Sequence, residues 1–184
     1  MTFFKNRKTA ILIAVVIAVL STLLGAGRGL NRLTNKIEAM FYDGVYMESD
    51  RYTQPGIAPQ LDRYADATIG LATIMISYSD LRDGAEDILT LRRDLIDAES
   101  ISDKSLAFWM LSRYVYNLIQ AASEYELSQR DREAVSQYAS TIEGAEEFIR
   151  NAAYNEEAAR LWSERSFISR LLTPLIPVRE PESF

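Results

Sequence analysis

The chain has 184 residues, with a formal net charge of −6 and no cysteine or histidine. Without those two residue types the sequence excludes disulfides, zinc sites, di-iron Glu-x-x-His pairs, Cys/His nucleophile systems and the Ser-His-Asp arrangement. The charge is divided into +6 over residues 1–36 and −12 beyond them. An acidic body argues against a nucleic-acid partner, which needs a clustered Lys/Arg surface. We therefore expect no cofactor, no metal site and no nucleic acid.

Residues 9–28 are predicted to form a transmembrane anchor that follows a basic N-terminal tail at 1–8. No side chain from Ala10 to Gly27 is charged, and a helix of this length spans about 27 Å, close to the ~30 Å hydrocarbon core of a bilayer. A cleaved secretory signal has a similar layout, but its apolar core is usually ~7–15 residues long. We therefore favour an uncleaved single-pass anchor, with the lipid bilayer as its partner.

Six basic side chains flank the anchor and are expected to meet lipid headgroups. They are Lys5, Arg7, Lys8, Arg28, Arg32 and Lys36. Three lie on each side, so the positive-inside rule gives the two orientations nearly equal weight. The lack of any acid in the N-terminal cluster favours a cell-membrane protein with its N-terminus inside and its acidic body outside the cytoplasm.

The body at 29–172 is predicted to be an all-α, elongated antiparallel bundle of three or four long helices. Apolar residues at a spacing of three and four extend the anchor helix to about Tyr42. Two glycines and two prolines at 43–59 predict a loop excursion. The same spacing then predicts one helix from Gln60 to about Ser100, kinked near one of its glycines.

Two serines are predicted to begin the remaining helices of the bundle. Ser100 is a candidate N-cap for a helix from about 103 to 126, and Ser128 for a helix that continues to about Trp162. Apolar side chains three and four residues apart give each helix one packing face. These positions are Phe108, Leu111, Val115, Leu118, Ala122 and Tyr125, then Val135, Tyr138, Ile142, Ala145, Ile149, Ala152 and Ala159. A proline-containing tail at 173–184 ends the chain.

Polar and aromatic clusters on these helices each have a structural and a functional interpretation. Acids at Asp80, Asp83, Glu86 and Asp87 could hold a hard cation, and those at Glu143, Glu146 and Glu147 could act as catalytic carboxylates. Solvated helix faces explain both groups better. The aromatic residues Trp109, Tyr114 and Tyr116 could line a ligand groove, although core and half-buried positions explain them better.

The stretch at 142–162 resembles the C-terminal signature of the LemA family. Tyr154 and Asn155 match its Tyr-Asn pair, and Trp162 matches its second aromatic position. The resemblance implies a single-pass, mostly helical, elongated antiparallel bundle of bacterial membranes and supplies no reaction. We interpret all three residues as structural, with Asn155 buried and paired to a backbone carbonyl or a neighbouring helix. This chain departs from the family at Gln60–Asp66 and Thr68–Leu71, where paired arginines and a Leu-Ile-Pro-Asn-Leu-like run are usual.

Two functions remain open at this point, and we expect neither to involve catalysis. The first is a membrane-anchored, non-catalytic scaffold or protein-interaction module at the bacterial cell envelope, with an unknown protein partner and possible homo-oligomerisation. The alternative is a ligand-binding or sensory ectodomain that works through a partner protein.

Overall fold

A computed structural model describes residues 7–48, 51–165, 170–171 and 179–184, with only the backbone described at 7–9. Of the described residues, 78% are helical, which confirms the all-α class. The described residues form six helices and one two-stranded antiparallel hairpin. These elements are α1 (Arg7–Asp43), β1 (Val45–Met47), β2 (Tyr52–Gln54), α2 (Ile57–Met75), α3 (Arg82–Asp97), α4 (Ile101–Ser123), α5 (Gln129–Arg150) and α6 (Tyr154–Ser163).

The chain divides into two compact units, of which the first comprises Met1–Glu38 and Ala158–Pro181. Within the described residues, α1 is the one helix long and apolar enough to cross a membrane, and its most apolar stretch is not buried. A secretory signal near an N-terminus meets the same requirement. At the other end of this part of α1, the Thr34 hydroxyl donates to the Arg179 carbonyl oxygen at 3.0 Å.

The second unit, Ala39–Glu157 with Glu182–Phe184, is organised around α2. Helix α2 makes its most extensive contacts with α5, packs also on α3, and touches α4 over a shorter stretch, while α3 packs on α4. The predicted apolar faces of α4 and α5 form much of the core. Buried members are Phe108, Leu111, Val115, Leu118, Ala122, Val135, Ile142, Ala145 and Ile149.

The predicted helix from Gln60 to Ser100 is wrong, because the chain breaks at 76–81 and α3 packs back against α2. Short polar side chains occupy the break, where the Ser79 hydroxyl donates to Asp80 and the Arg82 side chain donates to the Ile76 carbonyl oxygen. Such local bonds compete with helical ones and favour turns. The break is not at either of the glycines where a kink is predicted, because Gly70 lies inside α2 and Gly84 lies inside α3.

The predicted helix from Ser128 to Trp162 is also interrupted, with α5 ending at Arg150 and α6 beginning at Tyr154. The hairpin supplies hydrogen bonds that the break needs. The Ala153 N–H donates to the Gln54 side-chain oxygen at 2.9 Å, and the Gln54 amide donates to the Asn151 carbonyl oxygen at 3.5 Å. The excursion at 43–59 is thus a hairpin whose second strand satisfies backbone groups at the α5–α6 break.

Ser100 and Ser128 are confirmed as N-caps, since each side chain accepts from the backbone N–H three residues on. The two glycines that flank the hairpin, Gly44 and Gly56, are required for steric reasons. Gly44 has a positive φ of 100°, and a Cβ there would overlap the Gln54 carbonyl oxygen, while a Cβ at Gly56 would overlap the backbone at Tyr42. Glycine alone fits this close approach of the hairpin base to the end of α1.

Candidate functional site

The second unit has a groove of about 570 Å³ between α4 and α5. These two helices both contact α2 but hardly contact each other, so the space between them is left open. Apolar side chains of Val115, Ile119 and Ile142 line it. Its other lining residues are Ser112, Tyr116, Gln120, Ala139, Glu143, Glu146, Glu147, Arg150 and Asn151.

One side of the groove is acidic. Glu143 and Glu147 are exposed, and Glu146 is half-buried and accepts a hydrogen bond from Nε of Arg150 at 3.1 Å. The Arg150 guanidinium also lies over the Trp109 ring at 4.8 Å, which fixes it at one end of the groove. Three carboxylates and one guanidinium therefore line the groove, which presents net negative charge around an apolar surface.

Tyr64, on α2, does not line the groove, but its pKa is affected by the groove residues Glu146, Ser112 and Arg150. Its side chain is fully buried, and among the described residues its hydroxyl has no hydrogen-bond partner. Burial raises the pKa of Tyr64 far above its ordinary value of 10.0, and the charge of Glu146 raises it further. Ser112 and Arg150 act in the opposite direction, but the Ser112 hydroxyl does not reach good hydrogen-bond geometry. Tyr64 is thus a neutral buried donor without a partner among the described residues, within electrostatic reach of Glu146 and Arg150.

A second site holds the end of the chain. The Asn155 amide forms two hydrogen bonds with the backbone of Phe184, donating to its carbonyl oxygen and accepting from its N–H at 2.9 Å. The Tyr154 hydroxyl donates to the Glu182 carbonyl oxygen at 2.7 Å. The backbone N–H of Ser102 donates to the Glu182 carboxylate at 3.1 Å. We call this the tail site.

The tail site also contains an aromatic pocket. The Phe184 ring lies 5.5 Å from the Phe41 ring and 5.8 Å from the Phe108 ring, centroid to centroid. Phe41 also makes an edge contact with the Tyr154 ring at 5.7 Å. Phe41, Phe108 and Tyr154 are all buried, so the pocket is a continuation of the core of this unit.

No protein-family model, curated protein or solved structure matches this chain. The resemblance to the LemA family therefore depends on the quoted residues alone. The groove and the tail site are the two features of the structure that bear on function.

The structure brings two of the three signature residues together in the tail site. Tyr154 and Asn155 share the tail site, but Asn155 is exposed rather than buried as expected. Trp162 belongs to the other unit, where the Arg165 guanidinium lies 4.6 Å from its ring centroid.

The structure describes the side chains of three of the six predicted membrane-interface residues. Arg28, Arg32 and Lys36 are exposed at every fourth position along α1, so they share one face as predicted. Arg7 and Lys8 lie in the first turn of α1, where only the backbone is described, and Lys5 lies outside the described residues.

Sequence reasoning missed Tyr64, Ser112 and Phe184 as members of sites. An available signal for Tyr64 was its position between Leu61 and Thr68 on the apolar face of α2, where a phenol must find a partner or remain unsatisfied. No sequence signal pairs Phe184 with Asn155.

Proposed function

We propose that this protein is a membrane-anchored, non-catalytic interaction module of the LemA-like type at the bacterial cell envelope. In this proposal α1 crosses the bilayer, α2 to α5 act as an antiparallel bundle, and the groove between α4 and α5 binds an amphipathic helix of a partner protein. The observation that carries the proposal is the open groove itself, because α4 and α5 hardly contact each other.

The size of the groove suits a short helix. Its lining runs from Ser112 to Gln120 on α4 and from Ala139 to Asn151 on α5, which corresponds to about 12 and 18 Å of helix axis. A partner helix of two to three turns has this length. Apolar side chains at i, i+3 and i+4 would cover Val115, Ile119 and Ile142, as in other complexes where a helix binds in a groove.

The charge around the groove selects the type of helix. Glu143 and Glu147 are exposed and have no ion pair in the described part of the chain, and Arg150 offsets Glu146 only. Opposite charges at an interface favour encounter and suppress wrong partners. A partner helix with lysine or arginine beside its apolar face therefore fits, whereas an acidic helix is repelled.

The test uses two designed 11-residue amphipathic helices, each of about three turns, one built from Leu and Lys and the other from Leu and Glu. Each is titrated against the full chain in nanodiscs of zwitterionic lipid, and binding is measured by fluorescence anisotropy of the labelled peptide. We expect binding of the Leu/Lys helix alone. A scrambled Leu/Lys peptide without a single apolar face controls for attraction to the net negative charge.

Two substitutions test whether the groove is the binding surface. Ala139→Trp fills the groove, and Ser140→Trp places the same side chain on an exposed neighbouring position outside the groove. We expect Ala139→Trp to weaken binding of the Leu/Lys helix at least tenfold and Ser140→Trp to leave it unchanged. Equal binding by both variants would overturn the proposed surface.

The ligand-binding alternative is favoured by one specific observation, the buried and unpartnered hydroxyl of Tyr64, whose pKa is affected by the groove residues Glu146, Ser112 and Arg150. A cavity of about 570 Å³ falls in the usual range for small-molecule sites. A compound that raises the melting temperature of the wild-type chain by several degrees, but not that of Tyr64→Phe, would support this function instead.

A further inference from the structure

The tail site has the features of a specific peptide-recognition site, and residues 182–184 are its present occupant. Different residues of the site bind different parts of this segment. Asn155 and Tyr154 bind the backbone, the N–H of Ser102 binds the Glu182 carboxylate, and two phenylalanines hold the Phe184 ring. The site therefore recognises a carboxylate two positions before a phenylalanine.

The contact to Glu182 is favoured by its place on α4. Ser102 is the second residue of this 23-residue helix, so its N–H is one of those without a partner inside the helix. The positive end of the helix dipole adds attraction for a carboxylate. The glutamate is consequently selected by charge as well as by hydrogen bonding.

We propose that the tail site binds the same segment of a second copy of this chain, so that neighbouring copies exchange their tails. Every copy carries both the site and the segment that fits it, and such an exchange of identical elements needs no new contact. The site is built from α1, α4 and α6, and only three tail residues belong to this unit. The segment can thus be replaced by an identical one without altering the surrounding helices.

Within one copy the tail has an advantage over a competitor, because its attachment gives it a high effective concentration. Exchange is therefore best detected where the internal tail has been removed from one copy and released in another. The acceptor is the full chain lacking residues 182–184. The donor is the full chain with Tyr154→Phe and Asn155→Ala, which removes three hydrogen bonds to the tail but keeps the buried ring of residue 154.

The experiment mixes an affinity-tagged acceptor with an untagged donor in detergent micelles and measures the donor that co-purifies. We expect a 1:1 complex in the mixture, no self-association of either variant alone, and competition by a hexapeptide with the sequence of residues 179–184. A donor that also carries Phe184→Ala is the matched control, and we expect it to bind at least tenfold more weakly.

Two results would overturn the proposal when both variants retain wild-type helicity by circular dichroism. If the acceptor binds neither donor nor hexapeptide, the site does not recognise the segment in trans. If it binds the hexapeptide but not the donor, a second copy is not the source of the segment. Neither result bears on the groove between α4 and α5, which lies outside the tail site.

Discussion

At the scale of single residues, the position of Tyr64 is unusual because a fully buried hydroxyl has no partner among the described residues. Leaving a buried donor unsatisfied costs stability, about 1–3 kcal/mol for a typical group. A buried group left unsatisfied in a folded protein is uncommon and calls for a functional or structural reason. The Tyr64 hydroxyl is therefore a direct target for measuring the stability cost of this arrangement.

Replacing Tyr64 by phenylalanine keeps the ring and removes the unsatisfied hydroxyl. We expect Tyr64→Phe to leave the free energy of unfolding unchanged or to raise it by up to about 1 kcal/mol, as measured by urea denaturation. Ser112→Ala in the wild-type chain is the control for a hydrogen bond between the Tyr64 and Ser112 hydroxyls. A loss of stability in Tyr64→Phe that Ser112→Ala reproduces would show that such a bond exists.

Two helical glycines give a matched pair for testing the packing of α2 on α5. A Cβ at Gly70 would overlap the ring of Tyr138, whereas a Cβ at Gly144 would have no atom within 4 Å. Alanine is preferred over glycine in helices by about 1 kcal/mol, but an overpacked core costs about 1–3 kcal/mol. We expect Gly70→Ala to lower the melting temperature and Gly144→Ala to raise it. Equal shifts for both variants would contradict the close contact between Gly70 and Tyr138.

At the scale of elements, the segment between α2 and α3 is joined to the start of α5 by a hydrogen-bond network. The Tyr78 hydroxyl donates to the Asp131 carboxylate at 2.6 Å and accepts from the backbone N–H of Ser128. The Ser128 hydroxyl also donates to Asp131. The bonds from Tyr78 and then Ser128 hold the pKa of Asp131 below its ordinary value of 3.8.

This lowered pKa makes the network sensitive to acid. The folded state holds the Asp131 carboxylate ionised more firmly than the unfolded state does, so its contribution is complete above pH 3.8 and is lost as the pH falls through the lower pKa of the folded state. We expect Tyr78→Phe to lower the melting temperature at neutral pH and to have a smaller effect at about pH 2.5. Tyr114→Phe, on an exposed tyrosine, is the control. An equal loss at both pH values would show that ionised Asp131 is not involved.

Whether a sequence prediction is confirmed depends on how far apart in the sequence the interacting residues are. Ser100 and Ser128 cap helices through bonds to residues three positions away, so the sequence alone reveals them. The break after Arg150 depends on Gln54, which is 99 residues from the Ala153 N–H that it accepts from. No local pattern contains such a contact. The groove likewise depends on how α4 and α5 each pack on α2 and hardly contact each other, which periodicity within one helix does not predict.

At the scale of the whole molecule, the distribution of charge suggests how the chain is used. The first 36 residues carry +6 and the remainder carries −12, and the glutamates of the groove are part of this acidic body. If α1 crosses the bilayer, the orientation decides which compartment supplies the partner. The positive-inside rule makes this orientation depend on two clusters of three basic residues.

Neutralising one cluster at a time tests that orientation. We expect protease added to intact cells or spheroplasts to remove an epitope placed after Phe184, because the N-terminal cluster holds residues 1–8 inside. Changing Arg28, Arg32 and Lys36 to Gln strengthens this bias and leaves the result unchanged. Changing Lys5, Arg7 and Lys8 to Gln removes it, and a substantial fraction of the epitope then becomes accessible only in inverted vesicles. Wild-type protein cleaved only in inverted vesicles would reverse the orientation and make cytoplasmic proteins the source of the basic helix.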